Sequence, residues 1–480
     1  MRGKAVCGLV MALWAGVCAA DMCAYMRIER EISESDRQNR LLQAGLSDCC
    51  LVTDFKASVR MVDGQEVWTD AFQRALDAHA VVKVPARAEP YLIDRTLHIP
   101  SNRRIEAAGA TMRLFRGTNT IMLRNVNTRD GVKAPIPSDA RDSNISIVGG
   151  TWEDCRTSRG GFGSSGRYDA EDVGYGNFLG VTTFFLFNNC DHVTVRGVTF
   201  VHCGATAVQA GMGNCYHFED VVFRGCFADG LHLNGGLTRV HAKNVRGEVG
   251  DDLVALNAYD WLNSSVTFAP QRYFLCEDLQ LTGGYPAIRI LPGTYRFPDG
   301  SKVDCSINDV IFRRVSGVTN WKLYLQPPAY TVGNAPEWGE VGSGGNIYFE
   351  RMSVDFANPP DGFPVYTGSD PVRGHFGMFE VGANLDSVTI RDMDVTFHAD
   401  RYPFSHLITV GPKSATMQRG SSTTEIFAPY LSCTVGVVRV ENVRCHGVVP
   451  QELVHATGFD NVNGDGISTG RGVVKKVSVK

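Results

Sequence analysis

The stretch ADGLHLNGGLTRVHAKNVRGEVGDDLVALN, residues 228–257, carries one short pattern twice. An aspartate, Asp229 and later Asp252, precedes a run in which apolar residues alternate with others and which ends in an asparagine, Asn234 and later Asn257. Alternation with a period of two is typical of β-strands. Because the same pattern occurs twice, the two strands are predicted to occupy equivalent places in consecutive units of a repeating structure.

The strand pattern recurs on both sides of this stretch, and a second, bent pattern alternates with it. The strand pattern is found at 207–211, 230–235, 253–258, 287–292 and 322–327. The bent pattern, two short apolar units separated at Asp, Asn or Gly, occupies 193–200, 216–223, 274–281, 305–312, 347–354, 388–395 and 438–445. Stacked coils of short, bent strands predict an all-β fold, a single-stranded right-handed parallel β-helix, rather than a sandwich or a helical solenoid.

Three segments are expected along the chain. Residues 1–20 combine two basic residues, a short apolar run and small residues before Asp21, which predicts a signal peptide and a secreted or periplasmic protein. Residues 21–50 have helical spacing and are expected to form an N-terminal extension or cap, whereas 51–480 form the β-helix domain. A second helix is predicted within 68–80, with its N-cap at Thr69 or Asp70.

Composition narrows the class of partner. The chain has 480 residues and a formal net charge of -4, which gives no electrostatic reason to expect a nucleic acid. No stretch after the predicted signal peptide is apolar and long enough to cross a membrane.

The sequence has no Cys/His cluster with zinc-ligand spacing, so neither a metal nor another cofactor is predicted. For the cysteines that the repeat would bury, free thiols and disulfides both remain open: Cys190, Cys203, Cys215 and Cys226.

The repeat also predicts a site. Because apolar residues of each strand must face the interior, those between them face outward. Alignment of the coils places these residues in one outward column: Gln209, His232, Ala255, Arg289 and Tyr324. Asp229 and Asp252 come just before their strands, so stacking places them ~4.8 Å apart, with Asp251 beside them on one patch of the outer surface. Such crowding raises at least one pKa and favours general acid catalysis, although each aspartate alone is also a common turn former.

Further residues near this patch are expected to contact a sugar. His232, Arg289 and Tyr324 lie in the outward column, and a neighbouring column contains Asn234 and Asn257. Hydroxyl groups or an anionic group of a saccharide are the partners that these side chains suit. Trp261 follows the second aspartate pair and is expected either to stack on a sugar ring or to pack beneath its loop.

These motifs resemble a known family. Residues 51–112 resemble the N-terminal segment of pectate-lyase-like β-helix proteins, and ADG at 228–230 with GDDLVAL at 250–256 resembles the paired motifs of glycoside hydrolase family 28, the polygalacturonases and rhamnogalacturonases. The resemblance implies that Asp251 protonates the leaving oxygen while Asp229 and Asp252 deprotonate a water, with inversion. Arg289 falls on the arginine of the family's Arg-Ile-Lys motif.

Two positions depart from the family pattern. Leu291 stands where the family has the lysine of that motif, and no Gly-His-Gly lies between Asp252 and Arg289. A carboxylate-bearing sugar would be expected to use both cations. A neutral sugar and a uronate bound by Arg289 alone therefore both remain open.

The predicted function is that of a secreted glycoside hydrolase acting on a poly- or oligosaccharide through carboxylates alone. Two alternatives stay open. One is a Ca²⁺-dependent polysaccharide lyase on the same scaffold, in which a basic side chain such as Arg289 abstracts a proton. The other is a glycan-binding β-helix protein without catalytic activity. The sugar, its linkage, endo or exo action and the oligomeric state are left open.

Overall fold

The computed structural model describes most of the chain. The described residues are 3–118, 120–128, 141–154, 183–204, 206–260, 267–296, 300–324, 340–357, 375–411, 414–419, 422–427, 432–459 and 470–480. The helices are α1 (Gly3–Ala44), the short 3₁₀ helix Val52–Ser58 and α2 (Thr69–Ala78).

Nearly all other regular structure is β-strand. In chain order the strands are β1 (Cys49–Leu51), β2 (Arg60–Val62), β3 (Gln65–Val67), β4 (Val81–Lys83), β5 (Tyr91–Ile93), β6 (Leu97–Ile99), β7 (Arg103–Glu106), β8 (Thr111–Leu114), β9 (Leu123–Asn125), β10 (Asp142–Val148), β11 (Thr151–Glu153), β12 (Thr183–Asn188), β13 (Cys190–Arg196), β14 (Thr199–Val201), β15 (Thr206–Gly211), β16 (Gly213–Cys226), β17 (Leu231–Asn234), β18 (Leu237–Val249), β19 (Val254–Asn257), β20 (Gln271–Gly284), β21 (Ala287–Ile290), β22 (Gly293–Arg296), β23 (Lys302–Cys305), β24 (Ile307–Ser316), β25 (Asn320–Tyr324), β26 (Glu340–Val341), β27 (Ser343–Phe356), β28 (Phe376–Gly382), β29 (Asn384–His398), β30 (Ser405–Val410), β31 (Ser414–Arg419), β32 (Ser422–Phe427), β33 (Cys433–Val448), β34 (Val454–Ala456), β35 (Gly458–Phe459) and β36 (Gly470–Val479).

The strands stack into two long sheets. An 11-stranded sheet, called here the site sheet, runs in the order β34-β30-β28-β25-β21-β19-β17-β15-β12-β9-β6. A 20-stranded sheet, called here the bent sheet, collects the remaining stacked strands, among them the long strands β16, β18, β20 and β24. The pairs that stack one coil on the next are parallel in both sheets, as in β17–β19 and β18–β20, whereas the pairs β2–β3 and β35–β36 are antiparallel. The predicted single-stranded right-handed parallel β-helix is confirmed.

The bend in each long strand falls on one column of residues with left-handed backbone. Its members include Gly197, Asp220, Asn244, Asp278, Arg314, Arg351, Asp392 and Asn442, with φ between 51° and 65°. Gly, Asn and Asp tolerate this conformation better than other residues do. The polar residue at the centre of the bent pattern is therefore the corner of each coil.

The bent pattern was assigned to the wrong residues in one coil. The sequence predicts 305–312 as the copy that follows 274–281, but Phe274 pairs with Val310 and Glu277 pairs with Arg313. Residues 310–317 are thus the true equivalent, and Arg314 is the corner. Asp309, which also has a left-handed backbone, resembles the expected break and draws the sequence alignment to a frame that begins at 305 instead of 310.

One continuous apolar core fills the interior of the coil. It includes stacked aromatic rings from successive coils, such as Phe200 on Phe223 and Phe312 on Phe349. The four cysteines that the repeat was expected to bury, Cys190, Cys203, Cys215 and Cys226, are buried.

Helix α2 covers the first coil. Its buried residues include Phe72, Ala75 and Leu76. Gln73 donates to the carbonyl of His98 and accepts from the His98 amide, both at 2.9 Å, and so satisfies the backbone of the edge strand β6. The predicted N-cap is wrong, because the helix begins one residue earlier, after Trp68, and the Thr69 hydroxyl bonds to Asp94 instead.

Helix α1 lies along the side of the solenoid rather than over its end. Its contacts reach seven strands of the bent sheet, from β10 and β13 through β16, β18, β20 and β24 to β27. Within the predicted extension, 21–50, residues up to Ala44 belong to this helix, and α2 is the helix that covers the first coil. Tyr25, Ile28 and Ile32 recur at helical spacing and pack on Leu275 and Ile311 of the bent sheet.

Polar residues extend this contact toward the end of α1. Asp36 accepts hydrogen bonds from His241 at 2.7 Å and forms an ion pair with His217 at 3.1 Å. His241 also meets Glu277 at 3.1 Å, and Glu277 in turn accepts from Arg313 at 2.6 Å. A buried charged network therefore fastens the helix to several coils at once.

Among the described residues, no helix has the length and hydropathy needed to span a membrane.

Candidate functional site

Three carboxylates meet where the site sheet begins in two consecutive coils. Leu231 pairs with Val254 and Asn234 with Asn257, which is the register that the sequence predicted. The backbone N–H of Gly230 donates to the carbonyl of Asp252 at 3.1 Å, which locks the two motifs together. One oxygen from each of Asp229, Asp251 and Asp252 lies within 4.8 Å of the others.

The three carboxylates differ in exposure, which the sequence did not predict. The Asp252 side chain is 0% exposed, whereas that of Asp251 is 21% exposed. Asp229 is also buried, with a side chain 9% exposed. By the alternation of the strands that follow them, both buried aspartates share the side of the inward residues. The predicted open patch is therefore a mostly buried cluster, called here the recess, in which Asp251 is the most exposed acid and Asp229 keeps a little exposure.

Asp252 has the shifted pKa that the crowding predicted, but the main cause is different. Burial raises its pKa to about 6, and the carboxylates of Asp251 and Asp229 add to this effect. The cations Arg289 and Lys322 oppose it. The raised pKa of Asp252 therefore reflects its depth in the fold more than the crowding of like charges.

Asp229 and a second acid, Asp260, hold His232 in place. His232 lies between two carboxylates, with Nδ1 2.5 Å from Asp229 Oδ2 and Nε2 2.6 Å from Asp260 Oδ2. Burial disfavours the charged ring. The charges of Asp260 and Asp229 and their hydrogen bonds outweigh this effect, and the pKa of His232 is raised to about 10. The ring is therefore an imidazolium at neutral pH and clamps Asp229.

The two predicted asparagines support this clamp. Asn234 Nδ2 donates to Asp260 Oδ2 at 2.9 Å, and Asn257 Nδ2 donates to the same oxygen at 3.2 Å. Both asparagines are buried. Their amides therefore orient Asp260 and do not extend to the surface where a sugar would contact them.

Two cations from the next coils face Asp252. Arg289 Nε lies 2.9 Å from Asp252 Oδ2 and its terminal nitrogen 3.7 Å from Asp251 Oδ1. Lys322 Nζ lies 3.9 Å from Asp252 Oδ1 and donates to the hydroxyl of Tyr285 at 2.6 Å. Lys322 is buried, so Arg289 is the more accessible of these two cations.

The predicted position of Tyr324 in this column is wrong. Arg289 pairs with Lys322, and Tyr324 pairs with Gly382 further along the strand. The alignment slipped by two residues because Leu323 and Leu325 were read as the inward pair, whereas Trp321 and Leu323 are the residues that pair with Ile288 and Ile290. Trp261, the other aromatic candidate, lies outside the described residues. Its neighbour Tyr259 is buried and packs on Phe268, with ring centroids 5.2 Å apart.

Sequence reasoning missed Asp260 and Lys322. Asp260 follows the strand rather than lying in it, so the strand alternation gave no signal for it. Lys322 was visible at the first position of its pattern, and an alignment that counted back from the buried Trp321 and Leu323 would have found it. Together these residues complete a recess of four acids and three basic groups.

Chemically, the recess offers one partly exposed acid next to fixed charges. Asp251 can exchange a proton with a bound molecule, Asp229 can accept one, and Arg289 can attract an anionic group. The oxygens of Asp229, Asp251 and Asp252 are also close enough to surround a hard cation such as Ca²⁺.

Comparisons with known proteins give only distant similarity. No protein-family model matches the sequence, and no curated protein is similar to it. Among solved structures, an exopolygalacturonase from Thermotoga maritima has 12% identity and a TM-score of 0.47 and covers 86% of this chain and 96% of its own. An endo-xylogalacturonan hydrolase from Aspergillus tubingensis has 12% identity and a TM-score of 0.41, over 84% of this chain and 95% of its own.

A protein with a different role is similar to the same extent. The surface adhesin PfbA of Streptococcus pneumoniae has 11% identity and a TM-score of 0.42, over 84% of this chain and 93% of its own. Function is therefore argued from the recess itself.

Proposed function

We propose that the protein is a glycoside hydrolase that acts on a poly- or oligosaccharide, with Asp251 as the proton donor. The observation that carries this proposal is the convergence of Asp229, Asp251 and Asp252, within 4.8 Å, in a recess where Asp251 is the most exposed of the three. The resemblance of the ADG and GDD motifs to family 28 supports the same roles. Export through the predicted signal peptide is part of the proposal.

The other side chains have supporting roles. Asp229 accepts the proton of the attacking water, because it is the deeper acid that still has some exposure and the His232 imidazolium keeps it in place. Asp252 has both oxygens buried, so it acts on its neighbours through its charge and its proton rather than by contact with the sugar. Arg289 meets an anionic substituent where the sugar has one.

Replacement of Asp251 tests this assignment. Asp251→Asn removes the acid and keeps its shape, so we expect loss of reducing-end release by a factor of about 10² to 10⁴. Asp63→Asn is the matched control, because Asp63 is exposed and is distant in sequence from Asp251. Its backbone is left-handed, a conformation that asparagine tolerates. Unchanged hydrolysis by purified Asp251→Asn on a proven substrate would remove Asp251 from the mechanism.

The stereochemical outcome is a separate measurement. The resemblance implies inversion, which needs room for a water between acid and base, usually ~6.5–9.5 Å between the carboxyl groups. The oxygens here lie within 4.8 Å of each other, which is nearer to the separation of ~5–5.5 Å in retaining enzymes. Proton NMR of the first anomer released distinguishes the two outcomes.

A Ca²⁺-dependent lyase is the second candidate, because the same three oxygens could surround a cation. Its products carry a double bond that absorbs ultraviolet light, and a chelator abolishes their formation. Reducing ends and absorbance, read together over acidic and neutral glycans, separate the two reactions. Saturable binding without any product would instead support a glycan-binding protein.

A further inference from the structure

Three histidines converge several coils beyond the carboxylate recess. His375 immediately precedes β28, His406 lies in β30 and His455 lies in β34, so each comes from a different coil of the site sheet. One ring nitrogen from each lies within 4.8 Å of the others. The three rings stack on one another, with centroids 3.9 Å apart for His375 and His455, 4.5 Å for His406 and His455 and 5.0 Å for His375 and His406.

One residue, Glu452, orients two of these rings. Nδ1 of His406 lies 2.8 Å from the backbone carbonyl of Glu452, and Nδ1 of His455 lies 3.0 Å from its carboxylate. Oxygens of these kinds only accept hydrogen bonds, so each Nδ1 carries the proton and each Nε2 keeps a lone pair. A ring whose second nitrogen donates to a carboxylate or carbonyl is the usual arrangement of a metal-binding histidine.

The third ring points at the lone pair of His406. Nδ1 of His375 lies 2.7 Å from Nε2 of His406, so this contact is an N–H···N hydrogen bond with the proton on His375. A metal ion can take the place of that proton between the two nitrogens. His375 then carries its proton on Nε2, and the exchange of tautomers conserves the number of protons.

We propose that His375, His406 and His455 bind one Zn²⁺-class transition-metal ion, with Glu452 as the residue that positions two of the ligands. Zn–N bonds of ~2.1 Å in a tetrahedron require nitrogens ~3.4 Å apart, so the His375–His406 pair, now at 2.7 Å, opens and the rings turn toward a common point on binding. Three imidazoles select Zn²⁺, Cu²⁺ or Ni²⁺ over Ca²⁺ and Mg²⁺, which prefer oxygen ligands. The fourth position is open to water or to a ligand on the surface. The proposal is independent of the hydrolase activity.

Sequence patterns give no sign of this site. The histidines are separated by tens of residues, and no spacing typical of zinc ligands joins them. The prediction that no metal is bound rested on such spacings. Only the stacking of the coils brings these side chains together.

Zn²⁺ binding to the purified full chain, measured by equilibrium dialysis with metal analysis, tests the proposal. We expect about one Zn²⁺ per wild-type chain at low micromolar free metal, with Ca²⁺ unable to compete. His375→Gln and His455→Gln should each weaken binding by at least about 10-fold, and Glu452→Gln by about 10-fold through loss of orientation. Both histidines are partly exposed, so their variants should fold, which circular dichroism checks.

His398→Gln is the matched control, because His398 is an exposed histidine that pairs with Asp355 and is absent from the cluster. It should bind Zn²⁺ as the wild type does. The expected d–d absorption of a Co²⁺-loaded wild-type chain should be missing in His455→Gln. Failure of the wild type to bind Zn²⁺ at about 100 µM, or binding of equal strength in both cluster variants, overturns the proposal.

Discussion

The backbone N–H of Asp252 donates to Oδ1 of Asp229 at 3.1 Å, so one acid of the recess holds the other across two coils. The same contact orients Asp229 between Asp252 and His232. The carboxylates are therefore part of the stacking of the solenoid, and changes at the recess should alter both stability and chemistry. The predictions below separate these two effects.

Asp252→Asn should destabilise the fold. The change leaves the partly buried guanidinium of Arg289 and the buried ammonium of Lys322 without the carboxylate that they face. Loss of one partner of a buried ion pair costs about 3 kcal/mol or more in the free energy of unfolding. Urea unfolding at pH 7 measures this cost, and the double variant Asp252→Asn/Arg289→Gln should recover part of it. Additive losses in the double variant would show that the pair is not coupled.

Lys322→Met should change the pH dependence of catalysis. The lysine cation lowers the pKa of Asp252, so its removal moves that pKa above the present value of about 6. We expect the acidic limb of the kcat/KM profile to shift to higher pH, with a smaller effect on KM because Lys322 is buried. Lys302→Met, at an exposed lysine of β23, is the control and should leave the profile in place. An unmoved limb in Lys322→Met would mean that Asp252 does not set it.

His232 should make the protein less stable in alkali. Its pKa is about 10 in the folded chain, compared with about 6.5 when unfolded. Because the folded state holds the proton more tightly, this stabilisation is complete below about pH 6.5 and is lost as the pH rises through 10. The melting temperature of the wild type should fall over this window, and that of His232→Gln should fall less steeply. His398→Gln should follow the wild type.

Part of this fall of the melting temperature with rising pH should remain in His232→Gln, because the pKa of His241 beneath α1 is also raised, to about 9. Its burial opposes this shift, and the hydrogen bonds with Asp36 and Glu277 outweigh it. If the melting temperature of His232→Gln fell with rising pH as steeply as that of the wild type, His232 would not be protonated in the fold.

Asp36→Asn should loosen helix α1. The carboxylate holds His217 and His241, and its replacement leaves two buried rings facing a neutral amide. We expect a lower melting temperature and faster amide hydrogen exchange in α1. Glu34→Gln is the control on the same helix, because Glu34 pairs with Arg37 in solvent and such exposed pairs contribute little. Equal exchange in the two variants would argue that apolar contacts alone hold the helix.

The repeat could be predicted from sequence where the coil length is constant. From Leu231 to Val254 the strands pair as the pattern indicates, and the polar corner residues mark most other coils. Prediction failed where the sequence offered two similar frames. Leu323 and Leu325 were read as an inward pair in place of Trp321 and Leu323, and Asp309 was read as the corner in place of Arg314. Both errors concern register, which depends on backbone pairing with a neighbouring coil and not on local residue type.

The sequence by itself determined that strands stack in coils and that Asp229 and Asp252 lie at the same level, because alternation and equal spacing are local properties of the chain. Only the tertiary structure decided that Asp252 is buried and has a raised pKa, that Asp260 clamps His232, and that His375, His406 and His455 meet. The physical reason is that burial, charge and coordination depend on neighbours from other coils. Those neighbours are defined only when the whole solenoid has formed.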